Sequence, residues 1–346
     1  MLCREKNGRA FFLKKSRILQ KKAKVLQKNA FGDYTMLIIK DPKIPSGQRE
    51  IRYAFHDVDG THSLIRNWPP VMSVVLNDVI ENGLPEGYDS QENVIRLTNK
   101  AGSRKFEETD KFCIESAGLS GLTQMEWAIR RAFQEGRIDV KCDQKINSCK
   151  IEKIWQGEET FEEQDTPEME EYLSENTPKL FKLYEKVLNA YCRDVNLDKA
   201  KKDPESFMVK GSKEFLSFLH EHGVKNYFVT GAVVEEGKGM FEEVEGLGYE
   251  MGEGKQVEAL IGSSWNHKLP KIDIMKELAE NLHAKGEEIL VVGDGRSEIT
   301  AGRDLGAYNI GRLGKGSSRQ REILKECGAD IIIEDYYDEK LKAIFY

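Results

Sequence analysis

From Gly211 onward the chain alternates short, wholly apolar runs with amphipathic stretches, and this rhythm constrains the fold more than any other feature. Gly211–His222 spaces Phe215, Leu216, Phe218 and Leu219 as a helix face and stops at Gly223, a residue that closes helices without steric cost. Lys225–Thr230 and Ala259–Ser264 read as strands. Pro270–His283 reads as a helix with proline in its first turn. Glu288–Gly293 is an apolar strand, and Tyr308–Gly311 and Asp330–Glu334 are further strands. Strands apolar on both faces and separated by helices need a parallel sheet covered on both sides. The expected class is α/β, a doubly wound parallel (Rossmann-like) sheet.

The earlier part of the chain has a different pattern. Met36–Lys40 and Ile51–His56 are strand-like, and the second runs into Asp57-Val58-Asp59-Gly60-Thr61. Residues 64 to about 204 are mostly helical in spacing. Pro69-Pro70 opens one helix, and Thr123-Gln124-Met125-Glu126 has the form of a capping box. Cys142–Trp155 is expected to hold a short hairpin. Residues 157–175 carry nine acids and no base, which predicts a solvated loop before a helix that starts at Thr177-Pro178. The division expected is a core of residues 36–64 and 205–346, interrupted by a mainly helical insertion at 65–204. Residues 1–35 form a basic extension. In it Phe11/Phe12, Ile18/Leu19 and Val25/Leu26 recur every seven residues, as in an amphipathic helix. An appendage docked on the body is the main expectation; a membrane-surface or nucleic-acid arm is the alternative.

Charge narrows the partners. The first 28 residues hold ten Lys/Arg and one acid, and the rest carries 42 basic and 58 acidic residues. So acidic a body repels nucleic acid, and none is expected as a partner. Apolar runs such as Ile289-Leu290-Val291-Val292 fall far short of the roughly 18 residues of a membrane span, so no transmembrane segment is expected. Six cysteines in 346 residues make no disulfide scaffold. The expectation is a cytoplasmic protein with free thiols.

In open α/β sheets, ligands bind at the carboxyl ends of the strands. Here those ends carry Asp57 and Asp59, then Thr230, then Asp294 and Glu298, with Lys268 or Lys271 opening a helix in between. Acids converging on one edge repel each other unless a cation sits among them. Hard oxygen donors point to magnesium, Mg2+. A metal beside a hydroxyl, a lysine and turn N–H groups suits a phosphoryl group.

These residues resemble the four motifs of the haloacid dehalogenase-like (HAD) hydrolases: Asp57-Val58-Asp59-Gly60-Thr61, Thr230-Gly231, a helix-opening lysine, and Gly293-Asp294 with Glu298. The resemblance covers residues 50–64 and about 208–346. It implies that Asp57 is the nucleophile and forms an aspartyl-phosphate, and that Asp59 cycles a proton between leaving group and water. It implies a metal held by Asp57, the backbone carbonyl of Asp59, and Asp294, with Glu298 direct or through water. Gly60, Thr230, Gly231 and the lysine would hold phosphate. Asp59 also implies phosphoryl transfer rather than dehalogenation. The inserted segment corresponds in position to the family's helical cap of the first type, and a closing cap suits a small phosphorylated metabolite. The implied activity is magnesium-dependent hydrolysis of a small phosphomonoester; a phosphomutase, or a non-catalytic binding protein on the same fold, is the alternative. The sequence departs from the family where many members have Asp in place of Glu298. The lysine is read as Lys271, in the first helical turn, with Lys268 as fallback. His62, Ser63 and Arg66 either face the substrate or serve as a polar hinge. Trp68, Trp127, Trp155 and Trp265 are expected in the core more than in the site.

Overall fold

The structure is a computed structural model and describes residues 37–263, 270–314 and 318–345. The basic N-terminal stretch lies outside the described residues, as do Trp265, His267 and Lys268.

Six parallel strands lie side by side in the order β6-β4-β3-β7-β8-β9: β3 (Tyr53–His56), β4 (Lys225–Glu235), β6 (Ala259–Ser263), β7 (Ile289–Gly293), β8 (Tyr308–Arg312) and β9 (Ile331–Ile333). The doubly wound sheet follows from apolarity on both faces. In β7, Leu290 and Val292 pack with Ala54, Phe215 and Ile310 on one side, while Ile289 and Val291 pack with Phe55, Val229 and Met275 on the other. Each such side chain, once fully buried, contributes about 1.5–3 kcal/mol. The expected run Ile51–His56 is divided. β1 (Leu37–Lys40) pairs antiparallel with β2 (Gln48–Ile51), and β3 begins after Arg52. Arg52 bonds instead to the backbone of Glu288 and Lys225, which turns the chain into the main sheet.

Between β3 and β4 lie α1 (Trp68–Asn82), α2 (Gln91–Lys100), α3 (Glu107–Glu115), α4 (Gly121–Gln134), α5 (Gln144–Gln156), α6 (Pro167–Leu188) and α7 (Asp194–Ala200). The first six share a core of their own, in which Phe112 stacks on Trp127 with ring centroids 3.8 Å apart. By contrast, Leu197 and Ala200 of α7 pack with Val58, Ile65 and Phe228 of the sheet layer.

Three local expectations are corrected. The helix α4 starts at Gly121 with Ser120 as its cap, so Thr123 sits inside it and donates its hydroxyl to Glu159 instead. Cys142–Trp155 is not a hairpin: Asp143 caps α5 with its carboxylate, and Gly157 closes the helix at φ 101°. Finally, α6 begins ten residues before Thr177, capped by Thr166 with Pro167 in its first turn, and Pro178 lies in its interior. Glu168 and Glu170 sit in that first turn, where the helix dipole favours acids.

Candidate active site

Asp57 follows β3 directly. Its N–H donates to Val292 O at 2.9 Å, so the sheet ladder fixes it at the carboxyl edge. The chain then folds tightly: the N–H groups of Thr61, His62 and Ser63 all reach Val58 O, and Gly60 adopts φ 77°. An added Cβ on Gly60 would lie 2.2 Å from Asp294 Oδ2, so only glycine lets this loop approach the end of β7. Thr61 donates its hydroxyl to Asp57 Oδ2 at 3.2 Å.

Lys271 opens α10 (Lys271–Leu282), anchored by Ile274, Met275 and Leu278 in the layer beneath the sheet. Its Nζ donates to Asp57 Oδ1 at 2.6 Å and to Glu298 Oε2 at 3.1 Å. Burial opposes its charge, but the two carboxylates hold its pKa above the ordinary range. Glu298 lies in the first turn of α11 (Arg296–Leu305), and its Oε1 accepts the Gly295 N–H at 2.6 Å. Asp57, Asp294 and Glu298 each offer a carboxylate oxygen, all within 4.8 Å of one another. With Lys271 as their near cation, burial and mutual repulsion raise the pKa of Asp57, and raise that of Asp294 well above the usual range.

Asp59 is half-buried, and its Oδ1, itself out of solvent, has no hydrogen-bond partner among the described residues. Burial pushes its pKa up to about 8; Arg66 opposes the rise, while Glu243 and Asp57 add to it. Thr230 is buried in β4, and its Oγ1 accepts the Ala232 N–H. Gly231 lies against the insert, where a Cβ would meet Leu119 O at 3.2 Å. Asp57, Asp59, Thr230, Gly231, Lys271 and Asp294 line one cavity of about 80 Å³. Gly60 and Glu298 stand behind its wall, in contact with Asp294 and Lys271 respectively.

The insert closes the cavity. Ala117 O accepts the Arg296 N–H at 3.1 Å, Gln156 O accepts from the Arg296 guanidinium at 3.1 Å, and Arg319 pairs with Glu115 at 3.4 Å. Trp68, Met72, Leu119, Gln124, Phe181 and Tyr184 supply the wall opposite the carboxylates. Trp127 is fully buried in the insert's core.

The residues after the Asp57–Thr61 loop divide between the two expectations and a third arrangement. His62 neither faces the cavity nor meets solvent. It is buried and bonded to Ser212, His56 and Tyr336. Arg66 lines the cavity, clasped by Glu243 at 3.0 Å and Glu185 at 3.1 Å. Sequence reasoning missed Glu185, Glu243, Phe181 and Tyr184, which no local pattern marks.

The strand order, the helical insertion after β3, and an acid at the ends of β3 and β7 with Lys271 between them define the architecture. The fold is a doubly wound parallel sheet interrupted by a helical insertion after β3. No family model and no curated protein matches the chain. Among solved structures it is similar to a hydrolase from Pseudomonas syringae, at 16% identity and TM-score 0.44, over 84% of this chain and 97% of that one. It is also similar to the β-phosphoglucomutase of Clostridium difficile, at 12% identity and TM-score 0.48, over 85% and 96%. A predicted phosphatase from Clostridium acetobutylicum is similar at 16% identity and TM-score 0.47, over 85% and 97%. At these values the likeness carries no argument, and the site stands on its own geometry. No helix among the described residues is long and apolar enough to cross a membrane.

Proposed function

We propose that this protein hydrolyses a small phosphomonoester with Asp57 as nucleophile, the insert acting as a cap over the site. The reading rests on one juxtaposition. A carboxylate held by a lysine shares one cavity with a second carboxyl, Asp59, whose pKa of about 8 keeps it protonated at neutral pH.

Asp57 Oδ attacks phosphorus as the bond to the leaving oxygen breaks, and Asp59 gives its proton to that oxygen, releasing an alcohol. Asp59, now a carboxylate, takes a proton from water as the water oxygen attacks the aspartyl-phosphate. Inorganic phosphate leaves, and Asp57 and protonated Asp59 are restored. Lys271 offsets charge on Asp57 and the phosphoryl oxygens. Thr230 and the Gly231 backbone orient those oxygens, and the insert excludes water from the first step.

The donor set fits a hard divalent cation. Asp57, Asp294 and Glu298 are all-oxygen donors, two of them with pKa values raised by burial and by the neighbouring carboxylates. Asp57 and Asp294 would hold magnesium, with the backbone of Asp59. Such an ion neutralises phosphate charge so that an anionic nucleophile can approach.

The deciding experiment is a panel of phosphorylated metabolites with magnesium and with EDTA, for wild type and Asp57→Asn. Phosphate release that needs metal, needs no bisphosphate activator and falls at least ~10³-fold in Asp57→Asn is expected. Turnover by Asp57→Asn within tenfold of wild type removes the mechanism.

A further inference from the structure

The charges lining the cavity form two clusters. Among the described residues lining it, the cations are Arg66 and Lys271, and each is held by two carboxylates. Lys271 lies between Asp57 and Glu298, at 2.6 and 3.1 Å. Arg66 lies between Glu243 and Glu185, at 3.0 and 3.1 Å. Glu243 is further paired with Arg193 at 2.8 Å and is fully buried, so it stays with the guanidinium groups. Glu185 differs. It lines the cavity, keeps partial exposure, and meets Arg66 through Oε1 alone among the described residues. Its Oε2 is left for a ligand.

The surfaces beside Glu185 are aromatic. Trp68, Phe181 and Tyr184 line the same cavity, and the Phe181 and Tyr184 rings lie 5.6 Å apart. Phe181 packs where Gly121 has no side chain; a Cβ there would sit 2.2 Å from the ring. Aromatic walls with one carboxylate oxygen favour an organic cation, through the ring faces and a charge-assisted hydrogen bond. They disfavour a carboxylate or a second phosphate, which would approach Glu185 with like charge.

We infer that the leaving group is a small amino alcohol whose ammonium is held by Glu185 against the aromatic wall. This inference rests on the phosphatase reading above and names the substrate class of that same site.

Three phosphate esters of matched size test it: 2-aminoethyl phosphate, 2-hydroxyethyl phosphate and 2-phosphoglycolate, with magnesium at pH 7. The expected order of kcat/KM is amino over hydroxyl by about tenfold or more, with the carboxylate slowest. In Glu185→Gln the amino-to-hydroxyl ratio should fall to within about twofold, whatever happens to the absolute rates. A wild-type enzyme that prefers 2-phosphoglycolate, or treats all three alike, overturns the inference and leaves the phosphatase reading intact. An unchanged ratio in folded Glu185→Gln also overturns it. If none of the three, nor acetyl phosphate, releases phosphate in an Asp57-dependent way, the phosphatase reading fails and the inference with it. The wild-type order stands as a test even where Glu185→Gln does not fold.

Discussion

Lys271 Nζ donates to Asp57 Oδ1 at 2.6 Å, joining two residues 214 positions apart, and both are buried. Removing one partner of a buried pair leaves an uncompensated charge and costs about 3–5 kcal/mol. Lys271→Met would leave Asp57, Asp294 and Glu298 facing one another without a cation. The folded pKa values of Asp57 and Asp294, already raised, would rise further, so the folded state would bind more protons than the unfolded chain. The variant should therefore gain stability as pH falls from 8 to 6, and its kcat should drop at least ~100-fold. Urea melts at both pH values, with steady-state rates, check this. Equal stability at the two pH values would mean that the three acids do not sense each other.

Magnesium should stabilise the folded protein, because three carboxylates in contact gain more from a cation than dispersed ones in the unfolded chain. At about 100 times Kd the gain is about 2.7 kcal/mol, readable as a rise in Tm. Asp294→Ala should remove most of that rise. Glu298→Ala should remove less, since both Glu298 oxygens already serve the Gly295 N–H and Lys271 Nζ. Thermal melts with and without magnesium on the three proteins report this without any assay of turnover, and the reverse order would reassign the ligands.

Gly60→Ala probes the loop geometry. At φ 77° an alanine is strained by about 1 kcal/mol, and its Cβ would press on Asp294 Oδ2 from 2.2 Å. The carboxylate must swing away, so the variant should lose magnesium-dependent stabilisation as well as at least ~100-fold in kcat. A variant that keeps the wild-type magnesium response would show that Asp294 has room to spare.

Legibility followed the range of the interactions. β7 and the strand ends at Asp57 and Asp294 were readable because a strand buried on both faces is apolar throughout. Lys271 was readable because Ile274, Met275 and Leu278 repeat at helical spacing behind it. The start of α6 was missed because nine acids outweighed the Thr166-Pro167 signal, although acids in a first turn stabilise a helix. The α4 cap was missed because Ser120-Gly121 competes with the better-formed Thr123–Glu126 pattern, and Glu159, 36 residues on, takes the Thr123 hydroxyl. The Arg66–Glu243 and Arg66–Glu185 pairs span 177 and 119 residues, and no window of sequence holds both partners.

His56 and His62 give a prediction about acid. They touch through ring nitrogens 3.1 Å apart and are sealed by Asn226, Ser212 and Tyr336. Burial lowers the His56 pKa to about 3, against the bond that its Nε2–H donates to Asn226 Oδ1. Burial, then His56 and Arg312, lower that of His62 well below the ordinary value. In the unfolded chain both titrate near 6.5. Above that pH neither state binds these protons, so the pair's contribution to stability is fully present. Below it the unfolded chain takes up protons that the folded protein refuses, and stability falls by about 1.4 kcal/mol per pH unit per histidine until the folded pKa is reached. Asp57, Asp59 and Asp294 act in the opposite sense, because their pKa values are raised on folding. The comparison must therefore be between proteins rather than along one pH curve. His62→Gln keeps a polar side chain but carries no titrating proton. It should be less stable than wild type at pH 7.5 by about 1–3 kcal/mol, for the hydrogen bonds it loses. By pH 5.5 that gap should shrink by about 1.4 kcal/mol, since only wild type is still losing stability through His62. Urea midpoints at the two pH values measure the gap, and one that stays constant or widens would place the imidazolium in the folded core after all.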